Sequence, residues 1–572
     1  MATTSSLNTS MFTVDSNGKL NVGGIASGID SKKIIDALMQ AKRLPAVQIE
    51  SKITANTAQI SALTDFKSKV SAVTTALNAL RGNPGNTTNV FDSKTISGTT
   101  SAASGTASNI DSLIMATVGS TAQNMSHTIK VNSLATANQI RTDAFSSTTT
   151  KLSDLGVTPG TMEIGGKTIT ISSTDTLLDL RSKINNSGAG VTASIVSSDS
   201  STHYLVLTSS KTGTANAINF TGDATLSDGL GLTAAGGVKN ELVAAANANI
   251  DVDGITGIER ASNSIDDVIS GVTLSLLKAE PGTTITLNVE PDLSAIKTGI
   301  NDLVTAYNDV RSYMNDQRTV KDWNDDKVVG ENEMGPLAYN QTMRDVVSQL
   351  GEMVAGTVPG ATDGYASLGQ IGVVMNSDYT LSIDNTILDN KLLTNPDGVK
   401  QLFSLQTNVS DSRVTFLNRG ANAVDGTYNL QITGTDADGN VTGATWNGVA
   451  MTISGRTLTA PDGTSLFFNG GPNLGPVSGM TVSISTGLAE SFYNYFDTTT
   501  RTSSGTLDTQ ISDLKVSNID YKDRVDAMDT RLAVTRTYLE AKYTAMETAL
   551  AKLQTLQDTI KSFSDSFNNS NS

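Results

Sequence analysis

The stretch ISDLKVSNIDYKDRVDAMDTRLAVTRTYLE, residues 511–540, decides how this chain is built. Apolar or semi-apolar residues recur at Ile511, Leu514, Tyr521, Val525, Met528, Leu532 and Leu539, and Asn518 and Thr535 fill the gaps. The steps alternate between three and four, the a/d spacing of a coiled-coil helix. One extra step of four leads to Tyr543 and resets the frame to Met546, Leu550, Leu553, Gln557 and Ile560. A stutter of this kind locally unwinds a left-handed supercoil. Helical throughout, the segment spans ~75–80 Å at 1.5 Å per residue.

A partner is written at the other end of the chain. After Pro45 the residues Ile49, Ile53, Asn56, Ile60, Leu63, Phe66, Val70, Val73, Leu77 and Leu80 keep the same rhythm. Gly82, Asn83 and Pro84 then stop the helix, because neither Gly nor Pro continues one cheaply. Upstream, Asp30 or Ser31 can cap a shorter helix with Ile34, Ile35, Leu38 and Met39 on one face. Pro45 separates the two helices or kinks a single long one, since its ring clashes with the preceding turn. Stripes of this kind can bury a bundle within one monomer, or form a stem that also packs on other subunits; the second reading is preferred.

Between these ends the chain is rich in Ser, Thr and Gly and reads as β modules. Thr161–Met162–Glu163–Ile164, a Gly165–Gly166 turn and Lys167–Thr168–Ile169–Thr170–Ile171 make a hairpin. A short helix over Thr176–Asn185 carries Leu177, Leu180 and Ile184, and strands return at Val191–Val196 and Tyr204–Leu207. Helical spacing resumes over Leu293–Met314 and Pro336–Leu350, then from Asp384 or Asn385 to Leu393, and Asn395–Pro396–Asp397 opens one more helix. From about Gly426 to Ser485 turns at Asp438–Gly439–Asn440, Asn447–Gly448 and Asp462–Gly463 mark a separate small β module.

The expected fold is therefore α+β and multidomain: long antiparallel terminal helices forming a coiled-coil stem, a helical domain, and nested β-rich head domains. The boundaries expected are an N-terminal segment and leg helix over 1–45, a stem helix over 46–85 and heads over 86–292. A helical domain over 293–406, an inserted β domain over 407–486 and a stem with its leg over 487–572 complete the chain.

Composition removes whole classes of function. The net charge of −16 argues against nucleic acid, which needs a basic stripe to displace counterions. No apolar run reaches the ~18 residues of a membrane span. The early residues lack the charged and apolar regions of a Sec signal, so export is expected by another route. With no cysteine and only His127 and His203, thiol nucleophiles and His-based zinc sites are excluded. Both histidines sit in strand-like runs, and no nucleophile elbow, phosphate loop or dinucleotide fingerprint occurs. Asp436–Ala437–Asp438–Gly439–Asn440 starts like a calcium loop but lacks the later acidic ligand, so it reads as a hairpin turn. No enzyme, cofactor or metal is expected.

The residues assembled so far resemble the flagellar filament cap, or hook-associated protein 2, family. The resemblance rests on Gly24-Ile-Ala-Ser-Gly-Ile-Asp30, Ile34-Ile-Asp-Ala-Leu-Met39 and Pro45 near the start. In the middle it rests on Ile265-Asp-Asp-Val-Ile-Ser-Gly-Val-Thr-Leu274, Pro281-Gly-Thr-Thr-Ile-Thr-Leu287 and Ala306-Tyr-Asn308. Leu368-Gly-Gln-Ile-Gly-Val373, Leu381-Ser-Ile-Asp384 and Phe403 follow, and Tyr543-Thr-Ala-Met-Glu547 with Leu550 and Leu553 close the series. They run in order along nearly the whole chain, Thr407–Ser485 excepted. Two positions depart from the family pattern: Lys42-Arg43, where an acidic residue is common, and Tyr379, where Gly is common.

The resemblance implies an oligomeric ring at the distal tip of a bacterial flagellum, outside the cell, beneath which exported flagellin folds and inserts. It implies flagellin, hook–filament junction proteins and, before export by the flagellar type III route, a cytoplasmic chaperone as partners. The contact residues expected on the stem and legs are Ile34, Leu38, Ile60, Leu63, Val525, Met528, Leu532, Leu539, Met546, Leu550 and Leu553. Two other readings stand beside it: a surface adhesin binding glycans through its β domains, and a different flagellar junction protein.

Overall fold

A computed structural model describes residues 12–14, 20–22, 30–82, 88–222, 224–235, 237–321, 333–358, 364–420 and 422–569. The chain divides into two compact units, one made of residues 1–83 and 299–572 and the other of residues 84–298.

In the first unit the N-terminal stem helix runs unbroken from Ser31 to Leu80, and the C-terminal stem helix from Thr506 to Asn569. Asp30 caps the former, its carboxylate accepting the Lys33 amide at 3.0 Å. The helix passes through Pro45 instead of ending there. Pro45 and Ala41 both lie on the solvent side, so the carbonyl that loses its intrahelical donor can be met by water, which softens a cost of ~3 kcal/mol. The shorter upstream helix is thus the first turns of the same rod. Its apolar stripe is also divided: Ile35 and Met39 are buried, whereas Ile34 and Leu38 are exposed. A seam between only two helices is narrower than the stripe the sequence offers.

Leu293–Arg318 packs on this stem where Tyr313 stacks on Phe66, with ring centroids 5.8 Å apart, and its hydroxyl donates to the Ala62 carbonyl at 2.7 Å. The remaining helices are Gln341–Ala355, Asn385–Thr394, Pro396–Phe403 and Leu488–Thr500. Asp384 and Asn395 cap the middle two through their side chains. Tyr307 and Asn308 fix the small hairpin of Val373–Met375 and Leu381–Ile383: the Tyr307 hydroxyl donates to the Tyr379 carbonyl, and the Asn308 amide both donates to and accepts from Leu381.

Between Phe403 and Leu488 sits a β sandwich. Its five-stranded sheet runs in the order Leu405–Val409, Val477–Thr486, Gly426–Thr435, Val441–Trp446, Val449–Ala450. The four-stranded sheet runs Val414–Asn418, Ser465–Phe468, Thr457–Thr459, Thr452–Ser454. Leu430, Ile432, Trp446, Leu458, Leu466, Phe468 and Val482, drawn from both sheets, form one core. The Gly487 amide donates to the Ser404 carbonyl at 3.0 Å, so the chain leaves the sandwich where it entered.

The second unit holds two cores, one nested in the other. The first combines Leu113–Ala135 with Ala248–Val289, under a five-stranded and a three-stranded sheet. The second lies wholly between them in sequence, from Ile140 to Leu232. It includes the hairpin Gly160–Ile164/Lys167–Ile171 and the helix Leu177–Asn186, which is closed by a capping box between Thr176 and Asp179.

Candidate interaction surface of the helical stem

The stem is built from the apolar seam outward. Leu63, Phe66, Val70, Val73, Leu77 and Leu80 from one helix and Leu507, Ile511 and Val525 from the other are buried. Polar pairs tie the two helices along their length. Arg81, which follows the N-terminal stem helix, is instead held by Glu490 of the Leu488–Thr500 helix at 2.5 and 3.1 Å and lies 3.9 Å from the Tyr493 ring centroid. Lys67 meets Asp508 at 2.5 Å, Asn56 meets Asn518, Arg43 meets Asp529, and Arg536 meets Asp36. Numbers fall on one helix as they rise on the other, so the helices are antiparallel. Arg43 lies between Asp529 and Glu50, and Arg536 between Glu540 and Asp36.

These contacts move the titrations of the partners. Hydrogen bonds from Lys67 and from the Ser503 amide hold the Asp508 carboxyl below its usual range, and Arg43 does the same for Asp529. Two carboxylates, Asp529 first, raise the Arg43 guanidinium. These contacts make the stem a defined two-helix rod down to Asp36 and Arg536.

Past that last clasp the N-terminal helix ends within two turns, at Ser31, while the C-terminal helix continues to Asn569. Its seam becomes progressively exposed: Tyr543, Met546 and Leu550 are half-buried, whereas Leu553, Leu556, Ile560 and Phe563 are 57–64% exposed. Among the described residues this stripe stays exposed to its end.

The expected contact residues therefore fall into three groups. Leu63 and Val525 are buried inside the stem and contribute to its own packing. Ile60, Met528, Leu532, Leu539, Met546 and Leu550 are half-buried. Ile34, Leu38 and Leu553 are exposed. Sequence reasoning missed the Arg43 and Arg536 clasps, which an apolar pattern does not reveal, and the exposed outer pair Val534 and Tyr538. The four-residue step between them was the available signal.

Elsewhere the chemistry is structural. His127 Nδ1 lies 2.7 Å from the Asp253 carboxylate and His203 Nδ1 2.6 Å from the Ser197 hydroxyl, both within sheets. Asp436 accepts the Asp438 and Asn440 amides of its own turn at 2.9 and 2.8 Å. Among the described residues no group of three His, Asp or Glu could hold a metal, and no helix is long and apolar enough to cross a membrane. The large aromatic side chains exposed among the described residues are Tyr339, Tyr379, Tyr538 and Phe563, all in the helical unit.

Comparison with known proteins gives the family of the chain. The model of the flagellar hook-associated protein 2 C-terminus matches residues 245–555, that of its N-terminus residues 27–138, and the flagellin hook IN motif residues 160–211. The B-type flagellar hook-associated protein 2 of Pseudomonas aeruginosa is 30% identical over 414 residues, covering 68% of this chain and 82% of its own length. The flagellar hook-associated protein 2 of Escherichia coli K12 is 29% identical over 391 residues, covering 66% and 79%. Among solved structures, the D1-D2-D3 domains of the Escherichia coli flagellar cap protein FliD align with a TM-score of 0.45 at 28% identity, covering 61% of this chain and 89% of that one. The matched regions include both stem helices, the head unit and the helical domain, and on that basis the chain belongs to the flagellar hook-associated protein 2 family, the structural filament caps of bacterial flagella.

Proposed function

We propose that this chain assembles into a ring at the distal tip of the filament and that its terminal helices guide exported flagellin into place. One observation carries the reading: the C-terminal helix extends beyond its intramolecular partner with Leu553, Leu556, Ile560 and Phe563 exposed. Burying such side chains yields about 25 cal/mol per Å² before ordering costs are subtracted, so a partner helix with a matching stripe would bind there. Flagellin and the hook–filament junction proteins are the partners outside the cell. Before export by the flagellar type III route, a cytoplasmic chaperone would cover the same stripe. The heads would form the plate of the cap, and the terminal helices its legs.

The test is electron microscopy and mass photometry of the full-length protein, with motility of a deletion strain complemented by it. Rings with protruding legs, and restored swimming, are expected. A persistent monomer that fails to restore filaments would overturn the reading.

A further inference from the structure

The end of the stem has two unlike flanks. Ile34 and Leu38 stand one residue before the buried Ile35 and Met39, and Val534 and Tyr538 one residue before the half-buried Thr535 and Leu539. In two helices that face each other and run in opposite directions, positions offset in the same sense from the seam turn to the same side. With Asp36 opposite Arg536 and Arg43 opposite Asp529, Ile34 stands across from Tyr538 and Leu38 across from Val534. All four are exposed and share one flank, which Ala41 and Pro45, also exposed, extend one heptad further. The ion pairs lie on the other flank, because Asp36, Asp529 and Arg536 each follow a seam residue.

Upstream of Ser31 the strands Phe12–Val14 and Leu20–Val22 form a hairpin. Its register sets apolar against apolar, Phe12 with Val22 and Val14 with Leu20, and polar against polar, Thr13 with Asn21. Two strands alone are marginally stable in water and need something to pack against. The eight residues from Val22 to Asp30 reach up to ~27 Å when extended. Leu38 and Pro45 stand only ~12 and ~22 Å along the helix from Asp30, so the hairpin can reach the whole apolar flank of its own stem.

We propose that the hairpin of Phe12–Val14 and Leu20–Val22 packs across the Ile34, Leu38, Val534 and Tyr538 flank of its own stem. The occupant is this segment because its tether holds it at high effective concentration over a flank it can span. Burying the apolar residues of both partners drives the contact. The end of the stem is then held by ion pairs on one flank and by apolar burial on the other. The inference does not depend on the ring or on the exposed stripe around Leu553.

The chain has no cysteine, so thiols can be placed in pairs in the full-length protein without background. Val14→Cys is combined with Leu38→Cys or Val534→Cys on the apolar flank. The control combines it with Gln40→Cys, which lines the groove beside Arg43 and Asp529. Each protein is mixed with an excess of the cysteine-free chain, treated with a short bis-maleimide and read by peptide mass spectrometry. Cross-links to Leu38→Cys and Val534→Cys are expected in several-fold excess over those to Gln40→Cys, and at a yield that dilution with cysteine-free chains does not change. Adding Phe12→Asp and Leu20→Asp should lower them several-fold while the helical circular dichroism of the stem stays the same. Equal yields on the two flanks, or yields that Phe12→Asp and Leu20→Asp leave as they were, would overturn the proposal. Cross-links that fall away on dilution with cysteine-free chains would overturn it as well, since the flank would then belong to a neighbouring copy.

Discussion

Asn56 and Asn518 meet across the stem, the Asn56 side-chain amide donating to the Asn518 carbonyl oxygen at 2.9 Å, and Asn518 donating onward to the Thr57 hydroxyl at 3.3 Å. Both asparagines occupy seam positions of their heptad patterns, where a polar pair fixes register at some cost in stability. Asn56→Leu alone strands the partner amide in a half-buried seam and should destabilise the stem by about 1–2 kcal/mol. Changing both to Leu should recover most of that loss, a coupling of about 0.5–1.5 kcal/mol. Urea unfolding followed by helical circular dichroism reads the difference; strictly additive losses would mean the pair is incidental.

Tyr379 holds a φ of 64° in the turn of the small hairpin, where a side chain is strained. Its ring lies 5.1 Å from the Arg311 guanidinium, which offsets part of that strain. Tyr379→Ala keeps the strain and loses the ring, whereas Tyr379→Gly relieves the strain as it loses the ring. The expected stability order is Gly at or above Tyr, with Ala lowest by about 1 kcal/mol. Asn308→Ala removes both hydrogen bonds to Leu381 and should cost about 1–3 kcal/mol. Thermal melts of the four proteins check the order.

Much of this was legible beforehand, and the reasons are particular. The terminal helices announce themselves because alternating steps of three and four, sustained over many turns, match the period of a helix and of no strand or loop. The hairpin over residues 160–171 is equally plain, since Gly165 and Gly166 both take positive φ in its turn. Pro45 left two readings open, separate helices or one long helix, because propensity weighs the lost hydrogen bond and cannot see that its face points to water. The contact residues split for a related reason: a heptad pattern gives the stripe but not how much of it a second helix covers. Ile34 and Ile35 are indistinguishable by type, and only the path of the partner helix buries one and exposes the other.

The β sandwich enters at Ser404 and leaves at Gly487, joined by a backbone hydrogen bond, so its removal leaves ends that already meet. Deleting 405–486 and linking Ser404 directly to Gly487 should preserve the helical signal and the melting of the stem. Swarming of a strain carrying that deletion then shows whether the insert matters for filament growth. Loss of the stem transition itself would mean that the helices depend on the insert for folding.

Glu280 gathers donors from Lys278, the amide and hydroxyl of Ser108, and the Thr283 hydroxyl, and these pull its carboxyl from the usual 4.5 down to about 2. A carboxyl depressed in the folded state contributes stability above its unfolded pKa, and that contribution is lost as pH falls through the folded value. The head unit should therefore lose stability between about pH 4.5 and pH 2. Glu280→Gln should flatten that part of the profile and lower the plateau above it. An unchanged profile in the variant would show that other groups govern the acid limb.

The clasped and open parts of the C-terminal helix should respond differently to the same chemical change. Val525 is buried, so Val525→Asp places an unpaired charge in the seam and should destabilise the stem by about 3 kcal/mol or more. Leu532→Asp and Leu539→Asp, at half-buried sites, should cost less each; together with Val525→Asp they should abolish assembly. Leu553 is exposed with no partner on the described chain, and Leu553→Asp should leave folding unchanged within about 0.5 kcal/mol. Combined with Ile560→Asp it should nevertheless abolish swimming, because the stripe that would meet a partner helix is then charged. Melting curves and motility together separate the two cases. A strain that swims normally with both Leu553 and Ile560 changed to Asp would show that the open stripe is not the working surface of the leg.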